Sequence, residues 1–92
     1  MKLQIDYSEE KNLLLTATRG VNFDDVKQAI KADRILDDID HFNPSKYPHQ
    51  RILIVKINQY AYAVPYVLNK KTNTLFLKTI YPNRLLTKKY LK

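Results

Sequence analysis

The chain has 92 residues and carries 16 Lys and Arg against nine acids, with one glycine, no cysteine and no tryptophan. That length supports one domain with one core and no large internal cavity, so a functional site is expected on an open surface or in a shallow groove. The lack of cysteine excludes disulfides and thiolate metal sites, and no apolar run approaches the roughly 18 residues that a membrane span needs.

The opening MKLQIDYSEEKN turns acidic within six residues and has no apolar signal core, so a cytoplasmic protein is expected. Charge is unevenly distributed. Residues 1–45 hold six Lys/Arg and all nine acids, whereas residues 46–92 hold ten Lys/Arg and no acid. A half-chain of one sign creates a field that attracts a phosphate polymer or an acidic protein. A solvated lysine surface would explain a few of these cations, but not the absence of acid from position 41 onward.

The first helix is expected to start at Ser8, whose hydroxyl suits an N-cap, with Glu9 and Glu10 at the positive end of the helix dipole. Leu13, Leu14 and Ala17 form its apolar stripe, and Gly20 reads as the left-handed residue that closes it after Arg19. A second helix follows, capped by Asn22, with Asp24 and Asp25 in its first turn and Phe23, Val26 and Ile30 on a core face; it fades by about Asp33.

The period then changes from about 3.6 to 2. Strands are expected at Ile35–Ile39, Arg51–Ile57, Tyr60–Leu68 and Thr74–Tyr81, with a loop over Asp40–Gln50 and short links at Asn58-Gln59 and Lys70–Asn73. Pro82-Asn83 stops the last strand before a short helix over Leu85–Leu91. In the third strand, Tyr60, Tyr62, Val64, Tyr66 and Leu68 share one face and Ala61, Ala63, Pro65 and Val67 the other. The small face admits a closely packed helix, and Pro65 implies a bulge or an edge. The expected fold is α+β: an antiparallel meander with its helices on one face, made of two N-terminal helices packed on a four-stranded, mainly antiparallel sheet and a short C-terminal helix, all one domain over 1–92.

The sequence has no GxGxxG, P-loop, HExxH or Cys/His cluster. His41 and His49 with Asp37, Asp38 and Asp40 make a poor metal set, because a catalytic site needs three ligands converging and these lie on a strand and its flanking loop. Ser8 reads as a cap and Ser45 as a loop residue, so a Ser/His/Asp triad is equally weak. No metal or cofactor is expected. What remains is phosphate chemistry. RNA carries its own nucleophile, the 2′-hydroxyl, so cleavage needs a proton acceptor, a proton donor and cations for the charged phosphorane. Arg51, Lys56, Lys78 and Arg84 flank or sit on the expected sheet beside the tyrosines, an arrangement that suits phosphate binding and base stacking.

The order of several short motifs resembles the BrnT group of bacterial toxins, within the RelE-like fold. Asp6, Lys11 and Asn12 precede Thr18-Arg19-Gly20-Val21-Asn22-Phe23-Asp24-Asp25, where the family has a Lys-His-Gly-Val-Ser-Phe-Glu-Glu stretch. Gln50-Arg51 stands at a family Glu-Arg. The closing stretch from Lys78 through Arg84, Thr87 and Tyr90 stands at the family's basic tail. Arg19 replaces the family histidine, Tyr81-Pro82-Asn83 replaces Ser-Ala-Arg, and the tail needs one inserted residue. The resemblance implies the toxin of a type II toxin–antitoxin system, a metal-independent endoribonuclease that inhibits translation. Arg51, Lys78 and Arg84 would hold the scissile phosphate and His49 would move protons. Lys56, Tyr66, Tyr81 and Lys88 would bind the RNA, with Tyr66 or Tyr81 stacking a base. It also implies a cognate antitoxin, often with a ribbon-helix-helix DNA-binding domain, whose acidic segment covers the basic face. The loss of the family histidine and of one arginine keeps a second reading open, a non-catalytic RNA-binding or antitoxin-binding module. A third reading is an adaptor for an acidic protein.

Overall fold

Two capped helices set up the N-terminal half. In the computed structural model, which describes residues 4–91, α1 spans Glu9–Arg19 and α2 spans Phe23–Lys31. The Ser8 hydroxyl accepts from the Lys11 N–H at 3.2 Å, and Gly20 closes α1 at φ 69°, ψ 11°. Asn22 and Asp25 form a reciprocal capping box at the start of α2. Phe23, Val26 and Ala29 are buried and Ile30 is half-buried, so the expected core face of α2 holds. The α1 stripe does not. Leu15 is its buried residue, whereas Leu13 is 72% and Leu14 55% exposed and Ala17 is exposed. A side chain on the other side of the helix from that stripe, Asn12, accepts from the Phe23 N–H at 2.7 Å and fixes α1 against the start of α2.

The described residues form six strands rather than four: β1 Gln4–Tyr7, β2 Ile35–Asp40, β3 Arg51–Ile57, β4 Tyr60–Asn69, β5 Thr74–Leu77 and β6 Tyr81–Pro82. The main sheet runs β1-β5-β4-β3-β2, and β6 pairs with β4. β1 is parallel to β5; every other pairing is antiparallel. β1 escaped the sequence reading because four residues are too few for an alternating pattern to stand out. The β3–β4 link has Asn58 at φ 52° and Gln59 at φ 66°, the two positive angles of a type I′ hairpin turn.

The expected strand Thr74–Tyr81 is interrupted. β5 ends at Leu77 opposite Tyr66, and β6 begins at Tyr81 opposite Ala63. Between them the Lys78 N–H still donates to the Pro65 carbonyl at 2.8 Å. Proline offers no N–H in return, so the ladder breaks where Pro65 would have continued it. Ile80 uses the break to bury its side chain completely with the α1/α2 core.

A second correction concerns the layers. α1 and α2 cover one sheet face, over Leu53, Val55, Val64, Tyr66, Leu75 and Leu77. The C-terminal helix, α3 (Arg84–Tyr90), packs instead through Leu86 on Ile52, Ile54, Ala61 and Ala63 of the opposite face. The alanines leave the space for it, and the Thr87 hydroxyl accepts from the Ala61 N–H at 3.0 Å. No helix among the described residues is long and apolar enough to cross a membrane.

Candidate nucleic-acid interface

The acidic strand meets the basic one at its edge. β2 and β3 place Asp38 opposite Leu53 and Asp40 opposite Arg51. Asp38 and Asp40 therefore share the α1/α2 face, while Asp37 points to the α3 face. Arg51 Nε lies 3.2 Å from Asp38 Oδ1 and its Nη1 lies 2.6 Å from Asp40 Oδ1. Its Nη2 donates to the Asp38 carbonyl at 3.0 Å. These are the only ion pairs among the described residues. The Asp38 charge raises the Arg51 guanidinium above its ordinary pKa. Arg51 thus has its charge offset and most of its donors engaged.

Tyr66 belongs to the same cluster. Its hydroxyl donates to Asp38, and the residue is only 5% exposed, with its ring packed in the core. Burial first, then the bond to Asp38, pushes the hydroxyl up to about 12. A ring enclosed in this way has no free face, so Tyr66 is not a base-stacking surface.

Arg51 and Tyr66 line an open groove of about 640 Å³ together with His49, Asp40, Gln50 and Lys70. A phosphate there would meet Asp40 beside the cations. An adjoining groove of about 390 Å³ shares Gln50 and is lined by Lys11, His41, Tyr47, Pro65, Lys78, Thr79 and Tyr81. It has no acidic lining residue. The expected residues are therefore divided. His49, Arg51 and Tyr66 meet in the first groove, and Lys78 and Tyr81 in the second. Arg84 and Lys88 are exposed on α3 and Lys56 is half-buried on β3; none of the three lines either groove. Among the described residues Arg84 makes no ion pair, so no salt bridge to α1 or α2 engages it.

The second groove is built by three local devices. In the loop over 41–50, the Asn43 side chain accepts from the Lys46 N–H at 3.3 Å, and its carbonyl accepts from the Tyr47 N–H at 3.0 Å, forming a tight turn at Asn43-Pro44. That turn brings Tyr47 back against His41, with ring centroids 4.5 Å apart. His41 Nδ1 accepts from the Asn43 N–H at 3.0 Å, so Nε2 carries the ring proton in the neutral imidazole and is the nitrogen left for a ligand. The third device is the β5–β6 break, which turns Lys78 and Thr79 to the groove. An Arg19 Nη1 donates to the Ile80 carbonyl and holds the break in place. Arg19 occupies the position where the resemblance has a histidine.

Tyr81 is half-buried, and burial raises its hydroxyl pKa above the ordinary tyrosine value. Sequence reasoning missed Lys11, His41 and Tyr47 as groove residues. Lys11 lies on the inner side of an amphipathic helix, among residues that usually pack. His41 and Tyr47 sit in a loop whose path only the Asn43 turn determines. Among the described residues, no three His, Asp or Glu side chains are placed to hold a metal ion. Comparison with protein-family models, with curated proteins and with solved structures finds no match to the chain.

Proposed function

We propose that this protein is the toxin of a type II toxin–antitoxin system: a BrnT-like endoribonuclease of RelE-like fold that works without a metal in the cytoplasm. The observation that carries the reading is the acid-free groove that gathers Lys11, Lys78, His41 and two tyrosine rings. The resemblance in motif order supports the family, and the pairing of two N-terminal helices with a largely antiparallel sheet fits it.

In this reading a phosphodiester lies between the Lys11 and Lys78 ammonium groups. The 2′-hydroxyl of the same nucleotide attacks phosphorus and the bond to the 5′-oxygen breaks, leaving a 2′,3′-cyclic phosphate and a 5′-hydroxyl. The two lysines offset the added negative charge of the phosphorane. His41 donates a hydrogen bond through Nε2 to a phosphate oxygen, and water in the open groove takes the 2′-hydroxyl proton and delivers one to the departing 5′-oxygen. The cognate antitoxin, with its ribbon-helix-helix domain, lays an acidic segment over the same basic surface.

Two observations favour a second reading, an RNA-binding or antitoxin-binding module without cleavage. Arg51 is neutralised by Asp38 and Asp40, and His41 Nδ1 is occupied. One experiment separates the two. Purified protein is incubated with RNA in the presence of a chelator, and the products are analysed for cyclic-phosphate ends. Cleavage by the wild type and its loss in Lys78→Ala support the nuclease. Tight binding without new ends leaves the RNA-binding module, and neither RNA binding nor growth arrest on expression removes both the nuclease and the RNA-binding module.

A further inference from the structure

Among the described residues, no helix packs over the β1–β5 end of one sheet face. Leu75 and Leu77 of β5 point into the core beneath α1 and α2, so Phe76 between them points to the other face. The cluster beneath α3 draws on β2, β3, β4 and β6 but includes nothing from β1 or β5. Phe76 is consequently 36% exposed on β5, opposite Val67 of β4. Two residues on, the Lys78 ammonium lies 5.3 Å from the centre of the Phe76 ring. Lys78 also lines the acid-free groove.

We infer that Phe76 and Lys78 form a nucleobase-stacking subsite for single-stranded RNA, an assignment that rests on the RNA reading above. An aromatic ring accepts any base on its face, and an adjacent ammonium takes the phosphate of the same nucleotide. Phe76 has no core-packing role that requires an aromatic ring, since its neighbours Leu75 and Leu77 supply the core contacts; one ring face carries the Lys78 ammonium, which leaves it for the phosphate when a base stacks there. Charge sets the direction of the strand. Asp6 of β1 is the register partner of Phe76, and its Oδ1 accepts from the Tyr7 N–H at 2.8 Å. Its carboxylate repels phosphate on that side, so the RNA backbone runs on the β4 side, past Lys78 and into the groove. Bases paired in a duplex cannot reach the ring, which selects single strands.

The test uses a short 2′-O-methyl oligoribonucleotide, which binds but cannot be cleaved through its 2′-oxygen. The sequence has no tryptophan, so Phe76→Trp introduces a sole reporter at the subsite. The expected result is quenching of its emission by the single strand and none by a duplex of the same sequence. Phe76→Leu, which keeps an apolar side chain but no ring, should weaken binding about tenfold, and Phe76→Tyr should retain it. If Phe76→Leu binds like the wild type while Lys78→Ala loses affinity, the subsite is wrong and the RNA reading stands. Quenching by the duplex would also overturn the single-strand assignment. If the wild type binds no RNA, the RNA reading fails and takes the subsite with it.

Discussion

The Tyr66 hydroxyl donates to both carboxylate oxygens of Asp38, at 2.9 and 2.8 Å, and so ties the central strand β4 to the edge strand β2 across β3. Removing that hydroxyl in Tyr66→Phe leaves the ring in the core but strips Asp38 of one partner. The cost should be about 1.5 kcal/mol, the usual scale for a hydrogen bond to a charged group. Urea unfolding would measure it.

The same bond makes a pH prediction. Tyr66 titrates at about 12 when folded, against an ordinary value of 10.0. The folded state therefore keeps the proton longer than the unfolded state does. The Tyr66 contribution to stability should be flat below pH 10 and fall as pH rises from 10 towards 12. Tyr81 and Tyr90 are raised as well and contribute in the same direction. The slope of the unfolding midpoint against pH should shrink in Tyr66→Phe without vanishing.

On the other sheet face, the Tyr90 hydroxyl donates to Asp37 Oδ2 and fastens the end of α3 to β2. That hydrogen bond, helped by the Asp38 N–H, holds the Asp37 carboxyl below its ordinary value of 3.8. The carboxylate form is the one the fold favours. This contribution is present above the ordinary value and is lost as pH falls below it. Tyr90→Phe should speed amide exchange in α3 at neutral pH while leaving β3 and β4 protected. Equal exchange in the variant and the wild type would show that Leu86 alone holds the helix.

Gly20 adopts φ 69°, yet an added Cβ would meet no atom within 4 Å. Gly20→Ala should therefore cost only the backbone strain of a left-handed residue, roughly 1–2 kcal/mol. Gly20→Asn should cost less, because asparagine tolerates that region. Chemical denaturation of the two variants would rank them.

Lys78 and Arg84 should behave differently. Lys78 lines the acid-free groove, whereas Arg84 is an exposed α3 residue outside both grooves. Lys78→Ala should abolish growth inhibition and lower the salt slope of RNA binding by about one. Arg84→Ala should only weaken binding, with both proteins melting within roughly 2 °C of the wild type. Full loss of growth inhibition in Arg84→Ala, with Lys78→Ala still toxic, would move the reacting phosphate to α3.

Where the signal is local, the sequence was sufficient. Ser8, Gly20 and Asn22 mark helix ends because caps satisfy backbone groups within a few residues. Alternation in β4 assigned its two faces, and the Asn58-Gln59 turn fixed its register with β3. Local pattern misled for α1, where Leu13 and Leu14 look like core residues but lie outside. Their neighbour Leu15 is inward because Asn12 ties that side of α1 to Phe23, a contact between helices that no periodicity encodes.

By itself, then, the sequence determined the three helices, most of the strands, the helix caps, the hairpin and the concentration of positive charge in the second half. The tertiary structure decided which cations remain unneutralised. Arg51 looked available, but sheet order sets β2 beside β3, and cross-strand geometry delivers Asp38 and Asp40 to it. Lys78 became a groove residue through the β5–β6 break, and His41 joined it through the fold of a loop. The field of a charged group depends on distances between residues far apart in the chain, and only the packed fold sets those distances.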